Sequence, residues 1–165
     1  MKTKSQIEQW LNELVQKLQD KFGSRLLLVV HVGSWARNDA HEQSDIDVNV
    51  ILDKVIPQDI VIYRTIISEL SDSNMACGFL GGLNEIRLWP RYDLTAFYFG
   101  SQVLYGNLSQ VIGEITRKDI FDNALIMVSN INHAVRHTLI YDTVTSTTAD
   151  SMKDLYKASF FVMQY

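Results

Sequence analysis

The 165-residue chain is 47% hydrophobic and 21% charged, with a formal net charge of −4. It has enough apolar material for a core and lacks the broad basic field that tracks along nucleic acid, so a nucleic-acid partner is disfavoured. A single cysteine, Cys77, excludes an intramolecular disulfide, and no apolar run reaches the roughly 18 residues that cross a bilayer, so a cytoplasmic protein with no membrane partner is expected.

In chain order, Ser5 followed three residues later by Glu8 reads as a capping box. Ile7, Trp10, Leu11, Leu14, Val15, Leu18 and Phe22 then recur at helical spacing up to Gly23, which predicts an amphipathic helix. Leu26–Val32 is apolar except for His31 and short enough to be a strand buried on both faces, ending at Gly33-Ser34. After a polar stretch over 37–44, residues 45–52 alternate, with Asp45, Asp47 and Asn49 on one face and Ile46, Val48, Val50 and Leu52 on the other. Pro57 opens a helix to about Leu70 with Ile60, Tyr63, Ile67 and Leu70 on one face. Residues 75–80, closed by Gly81-Gly82, form the candidate third strand. The stretches 83–89 and 92–100 fit more than one pattern, and Asp93 as an N-cap after Pro90 tips the second towards helix. From about Lys118, the spacing of Ile120, Leu125, Val128, Ile131, Val135 and Leu139 predicts a long helix. A Ser/Thr-rich loop over 143–148 precedes a helical pattern over 152–165 that meets no stop signal, as in a truncated segment. The expected organisation is α/β (α+β): a small mixed sheet with flanking helices over 1–110, then a helical segment over 111–165.

The chemistry lies in Gly33-Ser34-Trp35-Ala36-Arg37-Asn38 and Ser44-Asp45-Ile46-Asp47-Val48, with ten residues between Ser34 and Asp45. Carboxylates at i and i+2 of a strand project from one face with Cα atoms ~7 Å apart, so their oxygens can converge on hard divalent cations. Gly-Ser after a strand presents backbone N–H groups without side-chain bulk and attracts anions, and Arg37 adds a cation for a polyphosphate. Either half alone is ordinary, because Asp-x-Asp at a strand edge is usually solvated and Gly-Ser is usually a turn. Their order on neighbouring strands carries the argument.

These segments resemble the hG[GS]…Dh[DE]h signature of the DNA polymerase beta-like nucleotidyltransferase superfamily, over residues 26–52. The resemblance implies a nucleotidyltransferase core that holds a nucleoside triphosphate, such as ATP, and an acceptor hydroxyl on a small molecule or protein. Asp45 and Asp47 would be catalytic and bind two Mg2+ ions, with Mn2+ as an alternative. Gly33, Ser34, Arg37 and Ser44 would contact the nucleotide. Asn38 stands where many members carry glycine, and asparagine is the next most tolerant residue of a left-handed backbone. A third carboxylate is missing from residues 75–80; Glu85 and Asp93 are the nearest candidates, with surface and N-cap roles as the plainer readings. The C-terminal segment resembles the helical extension of bacterial stand-alone nucleotidyltransferases and, more distantly, of aminoglycoside nucleotidyltransferases.

Two alternatives stand beside this one: a non-catalytic nucleotide-binding module, and the nucleotidyltransferase half of a toxin–antitoxin pair that binds a helical protein partner. A homodimer through Leu155, Phe160, Phe161 and Val162 is a further expectation. His133 and His137 are four apart, but Ala134 replaces the glutamate of H-E-x-x-H, which disfavours a metalloprotease. Asn130, His133, Arg136 and His137 read as a solvated or interface face. Trp35, inside the phosphate loop, is the aromatic singled out for stacking on a base, whereas Trp10 reads as core.

Overall fold

The computed structural model describes residues 3–141 and 146–163. Helix α1 (Lys4–Phe22) starts from Thr3, whose hydroxyl accepts from the Gln6 N–H while the Gln6 side chain accepts from the Thr3 N–H. The capping box expected at Ser5 and Glu8 is therefore two residues upstream, where Thr3 and Gln6 offer the same spacing. Gly23 ends the helix with φ 52°. Ile7, Trp10, Leu11, Leu14, Leu18 and Phe22 are buried, and the Trp10 indole N–H donates to the Ser71 carbonyl at 2.7 Å.

Strands β1 (Leu26–Val32) and β2 (Ile46–Leu52) pair antiparallel, with Val29 opposite Val50, His31 opposite Val48 and Val32 opposite Asp47. The face that carries Val29, Ile46, Val48, Val50 and Leu52 packs against α1, against Ile66 of α3 (Pro57–Glu69) and against Leu70 at its C-cap. Each such aliphatic side chain, fully withdrawn from water, contributes about 1.5–3 kcal/mol before entropic costs. The inner stripe of α3 differs from expectation, since Ile60 is 52% exposed and Ile66 is 2% exposed. The cause is Asp59, which is buried and accepts two bonds from the Arg25 guanidinium at 2.8 Å as well as one from the Ile56 N–H. That ion pair turns positions 59, 63, 66 and 70 inward, and Ile60 rotates out.

The third strand is broken in two. Strands β3 (Ala76–Cys77) and β4 (Leu80–Gly82) both run parallel to β2, separated by Gly78, at φ +120°, and Phe79. A Cβ on Gly78 would lie 2.0 Å from the Val48 carbonyl oxygen, so only glycine lets the chain pass there. Helices α4 (Leu83–Arg87) and α5 (Arg91–Gly100) occupy the two ambiguous stretches. A fifth strand, β5 (Gln102–Gly106), pairs antiparallel with β1 and precedes α6 (Leu108–Ile112). The result is a five-stranded mixed sheet with flanking helices in an α+β arrangement.

The chain divides into two compact units, Met1–Trp89 with Phe97–Glu114, and Pro90–Ala96 with Ile115–Tyr165. In the second unit, Arg91 pairs with Asp119 at 3.0 Å, and the long helix α7 (Arg117–Tyr141) and α8 (Ser146–Val162) line an open groove of about 680 Å³. Of the loop expected over 143–148, residues 143–145 lie outside the described residues and the rest is already helix. The end of the helical pattern, residues 164–165, also lies outside them. Among the described residues, no helix is long and apolar enough to cross a membrane.

Candidate functional site

The end of β1 and the start of β2 meet at the pair Val32 and Asp47, which brings both motif halves together. Gly33 has φ +76°, and a Cβ built on it would lie 2.1 Å from Asp47 Oδ2 and 2.9 Å from its Cγ. Two independent demands therefore fix glycine: a backbone conformation and the space taken by the carboxylate. The chain then makes a one-turn helix, α2 (Gly33–Arg37), which ends at Asn38 in the left-handed region, φ 62° and ψ 29°. The tolerance expected of asparagine at that position is used.

The loop between the halves is pinned from inside. Asp39 N–H donates to the Ser34 carbonyl at 3.0 Å, and the Trp35 indole N–H donates to the Ser44 carbonyl at 3.2 Å. Ser44 is buried, with its hydroxyl accepting from the His41 N–H at 2.9 Å and its own N–H returning to the His41 carbonyl. Ser44 thus sets the entry of Asp45, and Trp35 is a strut partly packed against the core. The Arg37 Nε–H donates to Asp39 at 3.2 Å where the turn leaves.

Asp45 is exposed and stands one residue before β2; Asp47, half-buried, is within it. By alternation, Asp47 lies on the sheet face opposite the one that packs on α1. Asn49, on the Asp47 face, is buried and accepts from the Phe79 N–H at 3.2 Å, so it joins β2 to the broken third strand and is not part of an acidic rim.

On that third strand, Cys77 is the residue opposite Asp47. Burial pushes its thiol up, and the carboxylates of Asp47 and Asp45 act in the same direction, which keeps the sulfur protonated at neutral pH. Glu85 accepts from the Gly82 N–H at 2.9 Å and caps α4. Asp93 is exposed in the first turn of α5, with its N–H on the Pro90 carbonyl; it is inside the helix and not its N-cap. Asp93 belongs to the other compact unit. Among the described residues, no group of three or more histidine, cysteine and acidic side chains could hold a metal ion. The donors at Asp45 and Asp47 are hard oxygens, the type that Mg2+ takes while leaving positions for substrate phosphate.

Residues 11–78, from α1 to the break after β3, match the model of the family described as nucleotidyltransferase domain. Over that stretch, which is less than half of its length, the chain is similar to this family. It is also similar to several solved structures. One is spectinomycin adenyltransferase AAD(9) from Enterococcus faecialis with ATP and spectinomycin, at 15% identity and TM-score 0.49, covering 96% of this chain and 89% of that one. Another is a toxin-antitoxin complex with AMP-PNP, at 17% identity and TM-score 0.42, covering 79% and 94%. A third is the tri-AMPylated HEPN toxin of Shewanella oneidensis in complex with MNT antitoxin, at 17% identity and TM-score 0.40, covering 81% and 92%. No curated protein matches the chain.

Proposed function

We propose that the chain moves a nucleoside monophosphate from a nucleoside triphosphate to a hydroxyl of a small molecule or protein, at a centre formed by the Gly33-Ser34 turn, Asp45 and Asp47. The observation that carries this reading is the contact of Gly33 with the Asp47 carboxylate. A phosphate on the turn would sit directly beside a carboxylate, an arrangement that is favourable only with a cation between them. Asp45 and Asp47 would hold that cation. Magnesium, or manganese in its place, when bound supplies the positive charge that neutralises the triphosphate and lowers the pKa of the acceptor hydroxyl. The backbone N–H groups of Gly33 and Ser34 would bind phosphate oxygens, and Arg37, steadied by Asp39, would add charge at the exit of the turn. Ser44 acts on Asp45 through the loop that it pins.

Pyrophosphate release tests this, with ATP, GTP, CTP and UTP and a panel of hydroxyl acceptors, in wild type, Asp45→Asn and Asp47→Asn. Metal-dependent release by the wild type that both variants lose, while their folds persist, is the expected result. Release retained by either variant would sink the assignment. If there is magnesium-dependent nucleotide binding without release, the chain is a binding module.

A second reading, a protein-partner role, is favoured by α7, where Phe121, Leu125 and Val128 are each more than half exposed at helical spacing. Light scattering would separate a monomer from a dimer, and co-purification would reveal a helical partner.

A further inference from the structure

Across the sheet from Asp47, on the α1 side, a cleft of about 430 Å³ is lined by His31, Asn12, Leu11, Trp35, Asn38 and Gln102. His31 is 3% exposed, and neither ring nitrogen has a hydrogen-bond partner of regular geometry. Gln102, its register partner on β5, stands beside it. A buried imidazole is costly to a fold unless something satisfies it, and here the cleft is the open direction. Burial pushes His31 below the ordinary histidine range, against weaker opposing effects of Gln102 and Asp47, so the ring is neutral and offers one donor and one acceptor.

The remaining polar walls are carboxamides, which also donate and accept without charge. Lys4 and Glu8, one turn apart on α1, bring opposite charges to the rim, so no net charge selects an ion. Such a lining favours an uncharged molecule with several hydrogen-bonding groups, and the volume is within the range of small-ligand sites. We propose that this cleft is a second ligand site, for an uncharged polar molecule of nucleoside or monosaccharide size that hydrogen-bonds the His31 imidazole. Trp35 and Ala36 of α2 line the cleft while Gly33 at the start of α2 touches Asp47, so occupancy would restrain the turn proposed to hold phosphate. That coupling rests on the function proposed above; binding itself does not.

The test is a titration of the full chain with adenosine, uridine or glucose, read from the His31 ring resonances by long-range proton–nitrogen NMR and assigned by their loss in His31→Gln. At least one probe is expected to shift the His31 signals saturably, in wild type and in Asp47→Asn alike. In Asn12→Leu, an exposed α1 position that leaves His31 observable, affinity should fall about tenfold, as for the loss of one hydrogen bond. A response to adenosine and uridine alone identifies a base-bearing ligand, and a response to glucose a sugar. No saturable shift with any probe overturns the proposal. A shift that disappears in Asp47→Asn also overturns it, by assigning the ligand to the aspartate site. Absence of pyrophosphate release would defeat the enzymatic reading and leave this result standing.

Discussion

The Asp47 carboxylate occupies the space that a side chain on Gly33 would need: its Oδ2 lies 2.1 Å from the position of a Cβ there. The turn and the acid are thus fitted to each other, and a change in either is felt by both.

Gly33→Ala is accordingly expected to damage the centre more than the fold. The alanine must accept φ +76° and push Asp47 aside, a cost of about 1–3 kcal/mol. Calorimetry should show Tm lowered by a few degrees with the transition still cooperative, and nucleotidyl transfer should be abolished. Wild-type turnover in Gly33→Ala would contradict the role given to the Gly33–Asp47 contact.

Among the described residues no group of three or more metal-ligating side chains is present, which makes Cys77 a place to add an acid beside Asp45 and Asp47. Because it faces Asp47 across β2 and β3, Cys77→Asp would set a new carboxylate beside the existing pair. Without metal the like charges should lower Tm, and added magnesium should raise Tm more than in wild type. Cys77→Ser should follow wild type in both conditions. A thermal scan against magnesium concentration measures this, and equal magnesium responses in Cys77→Asp and wild type would show that the Cys77 position does not reach the metal.

Acid stability should depend on Asp59. Its pair with Arg25 and its bond from the Ile56 N–H hold its pKa below the ordinary carboxylate value, with burial opposing. A depressed folded pKa gives stability that is present above the unfolded value, about 4, and lost as pH falls through the folded one. Asp59→Asn is expected to lower Tm by about 5–10 °C at pH 7, with the gap to wild type closing below about pH 4. A gap that stayed constant from pH 7 to pH 3 would show that ionisation of Asp59 is not what stabilises the wild type.

Asn38 offers a conformational test away from any carboxylate. With φ 62° and ψ 29°, Asn38→Gly should be neutral within about 0.5 kcal/mol, whereas Asn38→Ala should cost about 1 kcal/mol. Urea midpoints would measure both. Equal midpoints for the two variants would mean that the turn does not impose its left-handed residue.

The part of the molecule legible in the sequence is the part where one pattern dominates. The apolar run of β1, the alternation of β2 and the period of α1 admit a single reading each, and the motif lies on them. The inner stripe of α3 was hidden because it includes a charged residue, Asp59, whose partner Arg25 is distant in sequence and met only by folding. The break in the third strand turns on how closely Gly78 approaches Val48, a relation between strands. Strand β5 escaped notice because its five residues are mostly exposed and do not alternate. Of the candidate site, Gly33, Asp45 and Asp47 stand out in the sequence by residue type and spacing. The position of Cys77 opposite Asp47 required the register, and the anchoring roles of Ser44 and Trp35 required the hydrogen bonds.

β1 and β2 are consecutive strands as well as sheet neighbours, so the turn, the pinned loop and both aspartates all lie on one hairpin, Leu26 to Leu52. Closing so short a stretch costs little chain entropy and brings together residues already close along the chain. The centre can therefore take shape early, before the parallel strands dock. It also means that the proposed chemistry is portable: the rest of the chain can diverge in size and purpose while the hairpin keeps its own geometry.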